Sequence, residues 1–478
     1  MKTICLFVMS AVCLVAGPAS AVTSATTEQQ AAHVLNRLGY GPRPGDIDLV
    51  AGMGVRRYID SQLEPAALPL PAALQARLDA LDTVNRPAGA VLGDYVAARK
   101  EARDETEESK AKRRQVGEHI SRETAEARLL RALDSPRQLE EVMVDFWFNH
   151  FNVYSGKGDD RALIAGYERD AIRPYALGNF RDLLGATAKH PAMLYYLDNV
   201  QSSAPNPNAK GKAGGLNENY ARELMELHTL GVDAGYSQQD VTELARMLTG
   251  WTFEQRRLIQ DNETFRFDAR RHDKGAKTWL GQAIAPAGQQ EGEQALDVLA
   301  VHPATAHHIS YQLAQYFVQD APPPALVERM ARSWQDSHGD IRTVLRTMFY
   351  SHEFMAPSAM NGKFKTPYRY VLSAARASAA PDEKLQPLLS AMNQLGMPLY
   401  GCQTPDGYKN TEAAWLNPDA LSRRIAFASS LAGGKLNPTL LDATLGSTVS
   451  ARTRDIVAAN PAPLRAAMLL GSPDFMQY

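Results

Sequence analysis

Residues 134–154 read DSPRQLEEVMVDFWFNHFNVY. Val142, Met143, Phe146, Trp147, His150 and Phe151 recur at three- and four-residue intervals, the period of an α-helix with one buried stripe. Glu141, Asp145 and Asn149 fall at i, i+4 and i+8, so a polar stripe runs beside the apolar one. Ser135 is placed to cap this helix, Pro136 suits its first position and Gln138 closes a capping box, which predicts a helix over 137–154. His150 is thereby carried inward among aromatic side chains. An unpartnered imidazole there costs on the order of 1–3 kcal/mol, so it must meet a polar partner.

The same punctuation recurs along the chain. GYSQQDVTELARMLTGW (235–251) opens on a Ser237–Asp240 cap with Tyr236 and Val241 as a hydrophobic staple. It follows GLNENYARELMELHTLGV (215–232), which stops at Gly231, a natural C-terminal glycine. Helices over 218–230 and 238–249 with a short link predict an antiparallel hairpin. One stretch departs from this pattern. ETFRFDARRHDKGAKTWLGQAI (263–284) has two strand-like runs around a polar turn, and the region 263–285 reads as a β-hairpin or an ordered loop. The expected fold is mostly α: a single large helical domain over 22–478 with a small β-hairpin insertion. Residues 99–127 are mostly charged and suit a solvated helix or a mobile hairpin arm. Residues 201–216, rich in Pro, Gly, Ser and Asn, read as a long flexible surface loop.

Residues 1–21, MKTICLFVMSAVCLVAGPASA, combine Lys2, an apolar run and Ala19-Ser20-Ala21, the pattern of a secretory signal peptide. Val12 precedes Cys13 where a lipoprotein signal wants a small residue. The expectation is a soluble exported protein, periplasmic or extracellular. Cleavage removes Cys5 and Cys13 and leaves Cys402 alone, which excludes an intramolecular disulfide. No later stretch is long and apolar enough to span a bilayer. The formal net charge of −2 gives no basic excess that points to nucleic acid.

Several chemistries are missing: no G-x-S-x-G elbow, no phosphate loop, no H-E-x-x-H and no C-x-x-C-H haem attachment. No two of the 11 histidines lie three or four apart, so no single helix offers a histidine pair to a metal. A divalent metal stays open only if distant segments assemble its site. On the 218–230 helix, Asn219, Glu223 and Glu226 share one side, flanked by Arg222. They form either a functional carboxylate pair or a solvated face in which Arg222 pairs with Glu226, worth a few tenths of a kcal/mol. His228, beside Leu224, reads as a packed, hydrogen-bonded residue. His272–Asp273 sits in a turn and is either a site element or a capped turn. His307, His308 and His338 read as surface residues.

Taken together, DFWFNHF, YLDN, NENYARELMELHTLGV, LTGW, HDKGAKTWLG and the late WLNP…SRR resemble the exported bacterial family of domain of unknown function 1800. The resemblance covers roughly 27–476. It implies marked residues at Trp147, Asn149, His150, Asn217, Glu218, Asn219, Tyr220, Arg222, Glu223, Glu226, Trp251, His272, Asp273, Gly275 and Lys277. Position 228 is often Phe in similar chains, so His228 is not carried over. The resemblance brings no activity with it, and implies an exported partner protein only by association.

These readings converge on one expected cleft. His150, Glu223 and Glu226 would be its catalytic groups. Trp147, Asn149, Asn217, Asn219, Tyr220, Arg222, Trp251, His272 and Asp273 would contact substrate. The 201–216 loop would cover it. Two function classes follow: a periplasmic enzyme, hydrolytic or metal-assisted, or a non-catalytic envelope protein in which the same residues form a buried network. The export reading has a direct check: N-terminal sequencing of secreted protein should begin at Val22, and secreted material that begins at Met1 would overturn it.

Overall fold

The helix that the first quoted stretch forms, Gln138–His150, lies in the middle of the molecule. Leu139, Val142, Met143, Phe146, Trp147 and Phe148 on it are all buried. The computed structural model describes residues 25–102, 106–204, 215–379 and 385–478. The 1–21 leader and most of the 201–216 loop lie outside the described residues. The fold is mostly α, and the strands among the described residues form two two-stranded antiparallel sheets.

A helix hydrophobic nearly all round must be central, and its polar stripe must then be paired inside. Glu141 takes a bidentate bond from Arg173, at 2.8 and 3.0 Å. Asp145 takes Arg128 at 2.7 Å and the Tyr316 hydroxyl at 3.0 Å. Glu168 joins both guanidiniums at 3.2 Å and accepts the Tyr400 hydroxyl at 2.7 Å. Burial works against the Glu168 charge, and the Arg128 and Arg173 guanidiniums overcome it, holding its carboxyl below the usual range. Glu168 sits in a widened helical turn, Tyr167–Ile172, that bonds i to i+5, and Arg173 follows directly after it.

The start of this central helix differs from expectation. Ser135 is the C-cap of the preceding helix Glu107–Asp134, its N–H bonding Arg131. That helix runs long enough to take up the Ser135 backbone, so Arg137 becomes the N-cap and Pro136 falls in the joint. The Gln138 amide donates back to the Ala132 and Ser135 carbonyls. The charged 99–127 region supplies the end of one helix, Ala88–Glu101, and the first part of Glu107–Asp134, and these two helices pack together.

The 218–251 hairpin forms as expected, with shorter helices, Asn219–Glu226 and Gln238–Met247. Glu218 meets Thr242 at 2.7 Å while Arg222 meets Gln238 at 2.9 Å, an antiparallel register. The Ser237–Asp240 capping box is present. The first helix stops early because the Leu227 and His228 N–H groups both bond the Glu223 carbonyl and Thr229 Oγ takes the Leu224 carbonyl. Gly231 then turns the chain at φ 86°. The strand expectation needs a correction. The hairpin is Lys277–Trp279 with Gln282–Ile284, turning through Leu280-Gly281, both at positive φ. The earlier run pairs elsewhere: Arg266–Phe267 lies against Trp251–Thr252. Among the described residues no helix is long and apolar enough to cross a membrane.

Burial also sets how the fold answers to acid. His33, His150 and His190 are pushed down to about 3, in each case chiefly by burial, and His228 lies well below its ordinary value for the same reason. Below about 6.5 the unfolded chain binds protons that these folded imidazoles refuse. Their stabilising contribution is therefore complete above about 6.5 and is lost as pH falls from there. The thermal midpoint, scanned from roughly pH 8 to pH 4, should be flat at the upper end and fall steeply below about 6.5. A midpoint that held level to pH 4 would show that these histidines are charged in the fold.

Candidate functional site

At the C-terminal end of the central helix the packing opens into a cleft of about 370 Å³. Phe146, Asn149 and His150 form its floor. Glu226, Leu227 and Val232 form one rim. His308, Gln312, Gln315 and Tyr316, one face of the helix Pro303–Phe317, form a wall. The 406–411 loop, with Asp406, Tyr408, Lys409 and Asn410, closes the opposite side.

His150 is 8% exposed, and its Nε2 lies 3.1 Å from the His228 carbonyl oxygen. A neutral imidazole that meets a carbonyl carries its proton on that nitrogen, so Nε2 donates and Nδ1 keeps a lone pair. Its depressed pKa, caused by burial and then by nearby His308, keeps the ring neutral at physiological pH. His308 was expected on the surface. The structure turns it into the wall of the cleft, against the Leu227 carbonyl, with Nε2 buried and without a partner in the protein. Adjacent residues on a helix diverge by about 100°, so His307 stays exposed while His308 points inward.

Of the two carboxylates expected on the Asn219–Glu226 helix, only Glu226 lines the cleft; Glu223 lies beside it, outside the lining. Arg222 reaches Glu226 at 3.7 Å and Glu218 at 3.5 Å. Glu223 makes no side-chain hydrogen bond or ion pair among the described residues. Burial pushes its carboxyl up, and the like charges of Glu226 and Asp406 add to the shift against Arg222. Asp406 pairs with Lys409 at 2.7 Å. His150 and Glu226 thus share one cleft, though no direct hydrogen bond joins them. Among the described residues no three His, Cys, Asp or Glu side chains gather in a way that could hold a metal ion.

The other expected contact residues are placed differently. Trp147 is fully buried and donates to the Ala176 carbonyl at 3.0 Å. Tyr220 and Trp251 are buried in the core. Asn217 caps its own turn, donating to the Asp198 carbonyl at 2.9 Å and accepting from the Asn219 N–H at 2.9 Å; the Asn219 side chain is exposed. His272 spends both nitrogens inside, on the Thr249 carbonyl at 2.9 Å and on Glu291 at 3.1 Å, beside a Lys277–Glu291 pair at 2.7 Å. Asp273 clamps Arg246 at 2.8 and 3.2 Å. None of these residues lines the cleft.

The 406–411 loop carries lining residues that spacing does not reveal. Asn149 holds it with both ends of its amide. Nδ2 donates to the Tyr408 carbonyl at 2.9 Å, and Oδ1 accepts the Tyr408 N–H at 2.7 Å. The fit needs glycine at 407, where a Cβ would come within 2.3 Å of the Asn149 carbonyl oxygen. The run TPDGYKN (404–410) signals a turn with a positive-φ glycine, but not what that turn packs on.

A family model described as protein of unknown function (DUF1800) matches residues 33–477. The chain belongs to this family. No curated protein and no solved structure matches it.

Asn149→Ala removes both bonds to Tyr408, which should cost about 1–3 kcal/mol. The midpoint of denaturant unfolding should fall accordingly, and proteolytic cutting within 404–411 should rise. An unchanged midpoint with an uncut loop would show that the loop is held by other contacts.

Proposed function

We propose that this is an exported enzyme whose cleft carries out acid–base chemistry of the hydrolytic class. The supporting observation is the Glu223–Glu226 pair, in which Glu223 holds its proton above the usual carboxylate range beside a cleft-facing Glu226. A carboxyl group that keeps its proton longer beside a second carboxylate divides the pair into an acid and a base. In this reading, Glu226 takes a proton from water as the oxygen adds to the electrophilic centre of the bound ligand. Glu223 gives its proton to the leaving group, and the proton on Glu226 then returns to Glu223. Water is consumed, one bond to the leaving group breaks, and the pair ends as it began. His150, neutral and fixed in its tautomer by the His228 carbonyl, accepts a ligand hydrogen bond at Nδ1.

A second reading, binding without turnover by an envelope protein that serves an exported partner, is favoured by one observation. His150 is neutral and already spends Nε2 on the protein backbone. Screening purified mature protein against nitrophenyl esters, glycosides, phosphates and amides separates the two. Turnover of one class should drop roughly 100- to 10,000-fold in Glu226→Gln, while the thermal midpoint stays close to that of the parent. Glu223→Gln should be comparably slow and should lose the alkaline limb of the pH profile, because Glu223 acts in its protonated form. Turnover that survives in Glu226→Gln would refute the assignment, and no turnover of any class would favour binding alone.

A further inference from the structure

Every buried, unpartnered side-chain atom on the cleft lining is a hydrogen-bond acceptor. His308 Nε2, Gln312 Oε1 and Asn410 Oδ1 are all shut off from solvent with no partner in the protein. The His308 proton sits on the nitrogen that faces the Leu227 carbonyl, which leaves a lone pair on Nε2. His150, more than nine-tenths buried, lies on the same lining with its ring against the Gln312 side chain. Unmet buried acceptors are destabilising until a donor reaches them.

The charge on the lining has the same sense. Glu226 and Asp406 face the cleft, with Glu223 beside them. The nearby cations are already engaged: Lys409, itself on the lining, pairs with Asp406 at 2.7 Å, and Arg222 lies 2.9 Å from Gln238 while reaching Glu226 only at 3.7 Å, so Glu226 is the lining carboxylate with no close cation. Phe146, Tyr316 and Tyr408 supply aromatic surface, which attracts cations at close range. The volume of about 370 Å³ suits a small group or the end of a larger one.

We infer that the cleft binds a protonated amine, a group that brings several donors, no acceptor and a positive charge to a lining made of lone pairs, carboxylates and aromatic faces. This inference rests on the same cleft as the proposed function and names the ligand chemistry it selects. An ammonium group has three donors, enough to meet His308, Gln312 and one carboxylate together. Such an amine has two sources, an amino sugar or a lysine side chain.

Isothermal titration of the mature protein with matched pairs tests this. Glucosamine is compared with N-acetylglucosamine, and Nα-acetyl-lysine methylamide with its Nζ-acetylated form. Acetylation removes the charge and all but one donor, and should weaken binding roughly tenfold or more in the pair that represents the true source. His308→Leu should abolish the preference for the free amine, with Gln312→Leu as a second variant if the first lowers the thermal midpoint. Equal or stronger binding of the acetylated forms, or no binding of either free amine, would overturn the inference. The readout needs no turnover. Amine binding without hydrolysis refutes the catalytic reading alone, and hydrolysis without amine preference refutes this one alone.

Discussion

Arg128 and Glu168 are buried charges, Arg173 is half-buried beside them, and the molecule is arranged around their pairing. Of the three acidic or amide side chains on the Gln138–His150 helix, Glu141 is buried and Asp145 and Asn149 are half-buried, and each is met by another element. Arg173 comes from the position directly after the widened turn at 167–172, and Arg128 from the long Glu107–Asp134 helix. Tyr400 comes from the chain just before the 402–411 loop, and Tyr316 from the wall helix. Loss of one member of a buried pair costs about 3–5 kcal/mol, enough to threaten a marginal fold. This polar axis therefore ties four separate segments to one helix.

The cleft follows from that axis. Asp145 takes the Tyr316 hydroxyl and so fixes the wall that carries His308 and Gln312. One turn later Asn149 takes both backbone groups of Tyr408 and fixes the loop that carries Asp406 and Asn410. One residue further on, His150 meets the His228 carbonyl and fixes the rim. Wall, loop and rim thus hang from successive positions of one helix end. A site built this way is preorganised by the same bonds that stabilise the core.

Helical period carries the stripe Glu141–Asp145–Asn149 and the inward course of His150, because both depend only on residues within a few turns. It also carries the Glu223–Glu226 face and the 218–251 hairpin. It does not carry partners. Tyr408 lies 259 residues from Asn149, and nothing local to either marks the pair. His308 escapes notice because its helix is otherwise half exposed and the Leu227 carbonyl it meets belongs to a distant turn. The Ser135 cap depended on where the preceding helix ended, which is set by packing. Motif resemblance identifies Trp147, Tyr220 and Trp251 as marked positions without saying why. Their full burial gives a packing reason for such large side chains.

The histidines show how burial divides structural work from chemistry. His33 bonds the Phe354 carbonyl with one nitrogen and leaves the other buried and unmet, and His190 caps a helix in the same one-sided way. His272 uses both nitrogens in a closed network. Only His150 and His308 combine a backbone anchor on one nitrogen with a place on the cleft lining. The burial that orients them also keeps them uncharged, so at neutral pH they serve as acceptors and are poor proton carriers. In the proposed reading, proton transfer falls to Glu226 and Glu223, whose carboxyl burial and the neighbouring Glu226 charge push upward. On that proposal the two kinds of group are complementary: neutral imidazoles would hold a ligand without competing for the proton that Glu223 and Glu226 would exchange.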